Sequence, residues 1–379
     1  MKAQTFGPIP GSTIFSGIVG KKAIVMAANV RIATVAEGIF RAAKDTDSAV
    51  FMELARSESD LKGGYTGMTP QVFSEKMNAA AKAVGFDIWA LHADHITIKK
   101  GDAAEIDGTK QLIDAQVNAG YTSFAIDASH LFNFEGKTVR EELEENIRVT
   151  TELARHIRQK MNGKEFGLEV EVGEIGRKDT EGLVLTRPEE AVGFIQALNE
   201  NDVHPHVIAI ANGSSHGHAY DANGNVIEQL SIDIPRTKAI AQALRDNKLH
   251  VGIAQHGITG TPRDLINLHF PKGDIIKGNV GTFWQDVAFG ILKIYEPALY
   301  KNIQDWTLEK YRPANPGKKD RQIFDGNCKM AIKEFYKEIY AVDEETNKAM
   351  QAMAYAESLV FFRAFGAYGT ASAIRKTLG

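Results

Sequence analysis

The run Ile88, Trp89, Ala90, Leu91, His92, Ala93, Asp94, His95 decides how this chain of 379 residues is read. Four apolar residues of strand character lead into two histidines and a carboxylate. At the C-terminal end of a buried strand, an imidazole can hold a metal while a neighbouring acid moves a proton. Alone, the run reads first as a short polar loop with a capped turn.

Recurrence downstream changes that reading. Residues 168–172 alternate, placing Glu169 and Glu171 on one face. The apolar run 207–211 leads into Asn212, Gly213, Ser214, Ser215, His216, Gly217 and His218, and the run 251–254 into Gln255, His256, Gly257, Ile258, Thr259 and Gly260. Three histidine-bearing strand ends and one carboxylate strand make an N3 or N3O ligand set for zinc or a neighbouring transition metal.

Strand signals fall at 23–29, 49–54, 88–92, 123–127, 166–172, 207–211, 249–254 and 274–279, with helical periodicity between them. Thr69 followed by Pro70 marks one helix start, and Gly120 ends the helix before the fourth strand. About eight strand–helix pairs predict an α/β fold, a parallel (β/α)8 TIM barrel over 1–299. His95, Asp127, Glu171, His216, His256 and Asn279 all sit at or just past strand C-termini, the catalytic rim of such a barrel. An open doubly wound sheet would gather them at one switch point. Residues 300–379 read as a helical extension that packs on the barrel or on a neighbouring subunit.

A net charge of -4, without a continuous basic tract, argues against nucleic acid and favours a small-molecule partner. The single cysteine, Cys328, excludes an intrachain disulfide and a thiolate metal cage, and fits a cytoplasmic setting. No activating neighbour in sequence marks it as a nucleophile, so it is expected to pack. Residues 1–21 carry no uninterrupted apolar core and read as neither signal peptide nor membrane span.

Asp94 with His95, the 168–173 alternation, Ser215-His216-Gly217, His256-Gly257 with Gly260, and Lys277 with Asn279 and Thr282 together resemble the class II, metal-dependent fructose-bisphosphate aldolases, from residue 28 to about 321. The resemblance implies a lyase that splits fructose 1,6-bisphosphate reversibly into dihydroxyacetone phosphate and glyceraldehyde 3-phosphate. It implies zinc, or another divalent transition metal, on His95, His216 and His256, with His218 as the alternative to His216. Asp127 and Glu171 match acidic positions that take a second or resting metal position, and a monovalent cation belongs to the same expectation. Asp94 would carry the proton of the hydroxyl whose oxygen becomes the aldehyde. Asn29, Gly217, Gly257, Thr259, Gly260, Asn279 and Thr282 match substrate and phosphate contacts, and Arg321 an arginine that reaches the other phosphate. The expected partner is a phosphorylated sugar, and the expected assembly a homodimer or larger homo-oligomer.

Three departures from the family pattern bear on the substrate. The loop after the fifth strand carries Lys178, Asp179, Thr180 and Glu181, so Asp179 or Glu181 replaces the family's proton-moving glutamate. Gly281 stands where the family has an aspartate that holds sugar hydroxyls. Ala55, followed by Arg56, stands where a serine touches phosphate. Tagatose bisphosphate is the near alternative substrate, a sugar epimerase or isomerase the next, and a non-catalytic aldolase-like subunit the alternative of another class. His92, His130 and His218 are candidates to orient ligands from behind.

Overall fold

The computed structural model describes residues 6–174, 176–177, 182–215, 217–221 and 223–378. In chain order the strands are β1 (Val25–Asn29), β2 (Val50–Ala55), β3 (Trp89–Thr97), β4 (Ser123–Asp127), β5 (Gly167–Glu171), β6 (Val207–Ala209), β7 (Ala219–Tyr220), β8 (Val226–Ile227), β9 (Gly252–Gln255) and β10 (Ile275–Val280). All but β7 and β8 join side by side into a closed parallel barrel, with β10 returning to β1. This is the (β/α)8 barrel expected from the sequence, with further helices after residue 297. Every residue of β1, β2, β4, β5, β6 and β10 is buried, because helices cover the outer face and side chains fill the inner one.

Local signals place the helices. Thr69 caps the helix Pro70–Val84 by accepting from the Val72 amide, and Pro70 occupies the first turn, where its missing N–H costs nothing. Below the barrel, the helix Gly11–Gly17 closes the N-terminal end: the Gly11 amide donates to the Thr122 carbonyl, and Phe15 stacks on Phe51 with ring centroids 4.9 Å apart. The helix Glu344–Phe365 crosses Ala36–Asp45 at Gly38, where a Cβ would lie 2.1 Å from the Gln351 carbonyl oxygen. Only glycine permits that approach. The short antiparallel pair β7–β8, between β6 and the helix Ile234–Asp246, had no sequence signal.

The third strand runs past its expected end at His92 to Thr97. Asp94 and His95 are adjacent, so a regular strand would send them to opposite faces. The β3–β4 register instead shifts between Ala93 and Ile96, and His95 takes a left-handed φ of 38°. Such a bulge re-aims side chains at a barrel rim, and here it lets both residues line one cavity. A non-glycine residue in that region costs about 1–3 kcal/mol, which the surrounding bonds must hold in place.

Candidate active site

A cavity of about 790 Å³ opens at the C-terminal end of the barrel. One wall comes from β3, β4, β5 and β9. Its centre is His95, whose Nδ1 lies 2.7 Å from Glu171 Oε1 and 3.3 Å from Asp127 Oδ2. The rings of His95 and His256 are 4.4 Å apart. One donor atom each from Asp94, His95 and His256 falls within 4.8 Å of the others, and the same holds for His95, Asp127 and Glu171. Two imidazoles and the carboxylates of Asp127 and Glu171, converging from four strands with Asp94 beside them, fit a divalent transition ion better than an alkali or alkaline-earth ion, which prefers all-oxygen ligands.

The electrostatics carry the mark of crowded like charges. Burial and the neighbouring Asp127 push Glu171 up to about 8, with His95 opposing. Burial also resists ionisation of Asp127, but His95 holds it down at about 2. For His95, burial favours the neutral ring, and the carboxylates of Glu171 and Asp94 outweigh it, raising its pKa well above the usual range. A cation at this wall would do what the extra proton now does.

Asp94 stands between the walls, with both carboxylate oxygens held. Asn29 Nδ2 donates to Oδ2 at 2.9 Å and Asn279 Nδ2 to Oδ1 at 3.1 Å. Burial opposes its charge, but His95, Lys277 and His256 prevail, and the group stays ionised far below neutral pH.

Beneath the cavity lies a sealed ionic layer. Lys277 Nζ sits 2.8 Å from Glu169 Oε2 and 3.1 Å from Glu53 Oε2, with all three side chains wholly buried. Glu169 Oε1 lies 3.1 Å from His256 Nε2, and Asn279 donates to Glu53 as well as to Asp94. His92, expected to orient ligands, points into this layer: its Nδ1 pairs with Ser123 Oγ at 2.7 Å, and its Nε2 is 3.5 Å from Glu169. Burial and the charge of Lys277 drop its pKa to about 4, so the ring is neutral. Lys277 thus supports His256 through Glu169, and Asp94 through Asn279.

The opposite wall, from the loops after β1 and β2 and the start of the helix Thr282–Tyr295, is built on Glu58. Its carboxylate accepts from Arg31 Nε at 2.8 Å, Tyr65 Oη at 2.8 Å, the Ala55 amide at 2.8 Å and Asn29 Nδ2 at 3.2 Å. Where the family resemblance puts a phosphate-touching serine, the amide of Ala55 is therefore taken by the protein's own carboxylate. Arg56 beside it lines the same cavity, its guanidinium oriented by Nη1 bonds to the Thr97 carbonyl and Thr109 Oγ1.

Of the residues singled out in the sequence, Asn29, Asp94, His95, Asp127, Glu171, Gly217, His256, Gly257, Thr259, Asn279 and Thr282 line this one cavity. Gly260 and Arg321 do not: the Gly260 carbonyl accepts from the Gln229 amide, and Arg321 is exposed, 3.5 Å from Asp325. His216, Asp179 and Glu181 lie outside the described residues. His130 and His218 line the cavity, paired with Glu174 at 3.3 Å and Asp286 at 3.0 Å. Sequence reading passed over Arg31, Glu58, Tyr65, Glu53 and Lys329.

Comparison with known proteins bears on the family and the fold. The family model described as fructose-bisphosphate aldolase class-II matches residues 12–348. The D-tagatose-1,6-bisphosphate aldolase subunit GatZ of Salmonella typhimurium is 33% identical over 91 residues, and that match spans only 22% of this chain and 22% of its own length. Among solved structures, fructose-bisphosphate aldolase (Fba) from Campylobacter jejuni superposes with a TM-score of 0.62 at 18% identity, covering 96% of this chain and 97% of that one. The YdjI aldolase from Escherichia coli K12 gives 0.61 at 16% identity, covering 96% and 99%. At such identities the two structures share the fold. No described helix is long and apolar enough to cross a membrane.

Proposed function

Because the chain belongs to the class II fructose-bisphosphate aldolase family, we propose that it cleaves and re-forms a ketose bisphosphate, with fructose 1,6-bisphosphate as the substrate. The observation that carries this reading is the convergence of Asp94, His95 and His256 within 4.8 Å at the foot of an open cavity. His95, His256 and His216 would hold zinc, with Glu171 and Asp127 at hand for a second position. Bound there, the ion supplies the Lewis acid that the ketose carbonyl needs.

The protein's own groups account for the protons. Asp94, ionised and oriented by two asparagine amides, takes the proton of the C4 hydroxyl as the C3–C4 bond breaks and that oxygen becomes the aldehyde. The bonding pair passes to C3, conjugated with the C2 carbonyl, and Asp179 or Glu181 returns a proton to C3. Gly217, Gly257, Thr259 and Thr282 offer amides and hydroxyls to one phosphate, where the positive end of the helix Thr282–Tyr295 favours an anion. A cytoplasmic homodimer or larger homo-oligomer completes the proposal.

The GatZ match supports a second substrate, tagatose 1,6-bisphosphate, which differs from the first only in configuration at C4. A coupled assay of triose phosphate release from each ketose bisphosphate, with zinc supplied and then chelated, tests both. Zinc-dependent release from fructose 1,6-bisphosphate is the expected result. Release from the tagatose ester alone selects the second reading, and release from neither, in protein shown to bind zinc, defeats the catalytic one.

A further inference from the structure

Two cations and one carboxylate meet in the corner between the loops after β1 and β2, the helix Thr282–Tyr295 and the short turn at Cys328–Met330. Arg31 is fixed by three bonds: Nε to Glu58 at 2.8 Å, and Nη1 to Thr282 Oγ1 at 3.2 Å and Gln285 Oε1 at 3.1 Å. Its Nη2 makes no hydrogen bond among the described residues. That nitrogen stands 3.4 Å from where a Cβ on residue 281 would lie, an ordinary van der Waals distance, so the guanidinium borders the space that a longer side chain at Gly281 would enter. Lys329 lines the same cavity, has no ion-pair partner among the described residues, and hangs 5.6 Å from the centroid of Tyr65, whose ring Arg31 faces at 5.7 Å.

Lys329 has no carboxylate at ion-pair distance among the described residues. Glu58 answers Arg31, Asp286 attracts it from farther off while pairing with His218 at 3.0 Å, and Asp325 pairs with Tyr220 at 3.2 Å and Arg321 at 3.5 Å. Two half-sequestered cations beside one carboxylate are poorly solvated and repel each other, which an added anion would relieve. Burial and the charge of Arg31 both depress the pKa of Lys329.

We propose that Arg31 and Lys329 form an oxyanion subsite that reads the charged end of the substrate's aldehyde half. A carboxylate at position 281 would accept hydrogen bonds from sugar hydroxyls; a guanidinium in its place donates them, and so selects a phosphate or carboxylate oxygen. Arg31 and Lys329, rather than Arg321, are then the residues that decide which aldehyde the cavity takes. The inference rests on the aldolase reading for what it calls the aldehyde half, but the anion site is testable without turnover.

The test is calorimetric titration of the full-length, zinc-loaded protein with inorganic phosphate and, separately, with malonate. Arg31→Gln and Lys329→Met should each weaken the preferred anion about tenfold or more, the scale of a lost charge-assisted bond. Arg321→Gln should change nothing. Preference for phosphate identifies a phosphorylated aldehyde, and preference for malonate a carboxylated one; either supports the subsite. Should Arg31→Gln fail to fold, Lys329→Met decides, since no ion pair is lost with it. Binding within twofold of wild type in folded Arg31→Gln and Lys329→Met would overturn the proposal. Arg31-dependent anion binding without triose phosphate release would instead sink the aldolase reading and leave the subsite standing.

Discussion

The two walls of the cavity solve opposite problems. On the β3–β4–β5–β9 side, carboxylates and imidazoles crowd together, and protons on Glu171 and His95 relieve the repulsion. On the β1–β2 side the surplus is cationic, and Glu58 cancels only part of it. One wall is short of a cation and the other short of an anion. A metal and a charged substrate would satisfy both. Lys277 differs from both walls: it is wholly buried and its charge is met inside the protein, by Glu169 and Glu53.

The largest effects should come from the acidic wall. His256→Ala is expected to lose bound zinc and to cut triose phosphate release about a thousandfold or more. Asp94→Ala should lose a similar factor in turnover while zinc content, read by atomic emission, stays at the wild-type level. Equal turnover in either variant would remove the division of labour between ligand and proton carrier.

Next in size is the sealed layer. Lys277→Met leaves Glu169 buried without its cation, beside a Glu53 that burial and the charge of Asp94 push toward its neutral form, which should cost about 3–5 kcal/mol in urea unfolding at neutral pH. The pH dependence has a definite sign. Burial opposes the charge of Glu169, but Lys277 and the histidines depress its pKa below 4.5, so its contribution is present above that value and lost as pH falls through the folded pKa. Lys277 is raised above 10.5 by its carboxylates against burial, so its contribution holds below 10.5 and is lost as pH rises past the folded value. The gap between wild type and variant should be widest between those limits and shrink in acid.

That layer also shows how far sequence reading reaches. The barrel was legible because strand-length apolar runs alternate with helical periodicity, and the acidic wall because its residues sit at strand ends, where a period of two fixes their face. Even Glu53 and Lys277 left a signal, each a lone charge inside a run of buried-strand residues, Val50–Ala55 and Ile275–Val280, where it survives only when paired. Asp94 and His95 were placed on one site although strand alternation forbids it; the bulge that reconciles them depends on the register with β4, which no local pattern encodes. Arg31, Glu58 and Lys329 were missed for a related reason. They meet from two loops and a turn up to 298 positions apart, and loop conformation follows from tertiary contacts rather than from periodicity.

A smaller change tests whether the cationic wall is as rigid as its bonds imply. Tyr65→Phe removes one of four donors to Glu58 and nothing else of the ring, so stability should fall by about 1–3 kcal/mol. If the loss is near zero, the Glu58 carboxylate is free to turn, and the picture of a fixed corner fails.

The smallest expected effect lies just behind that wall. Cys328 Sγ accepts from Gln285 Nε2 at 3.2 Å, and the same Gln285 accepts from Arg31, so the thiol backs the corner without entering it. Burial, helped by Asp286 and Asp325, pushes its pKa up to about 12 from an ordinary 9.0. The folded thiol therefore keeps its proton where the unfolded one has lost it, and its contribution to stability disappears as pH rises from 9 through 12. At pH 8 iodoacetamide should add nothing to the native protein and one adduct in urea, detected by mass spectrometry. Cys328→Ala should leave turnover within about twofold. Rapid alkylation of the native chain would mean that the corner opens to water, and that Arg31 is held less firmly than its three bonds suggest.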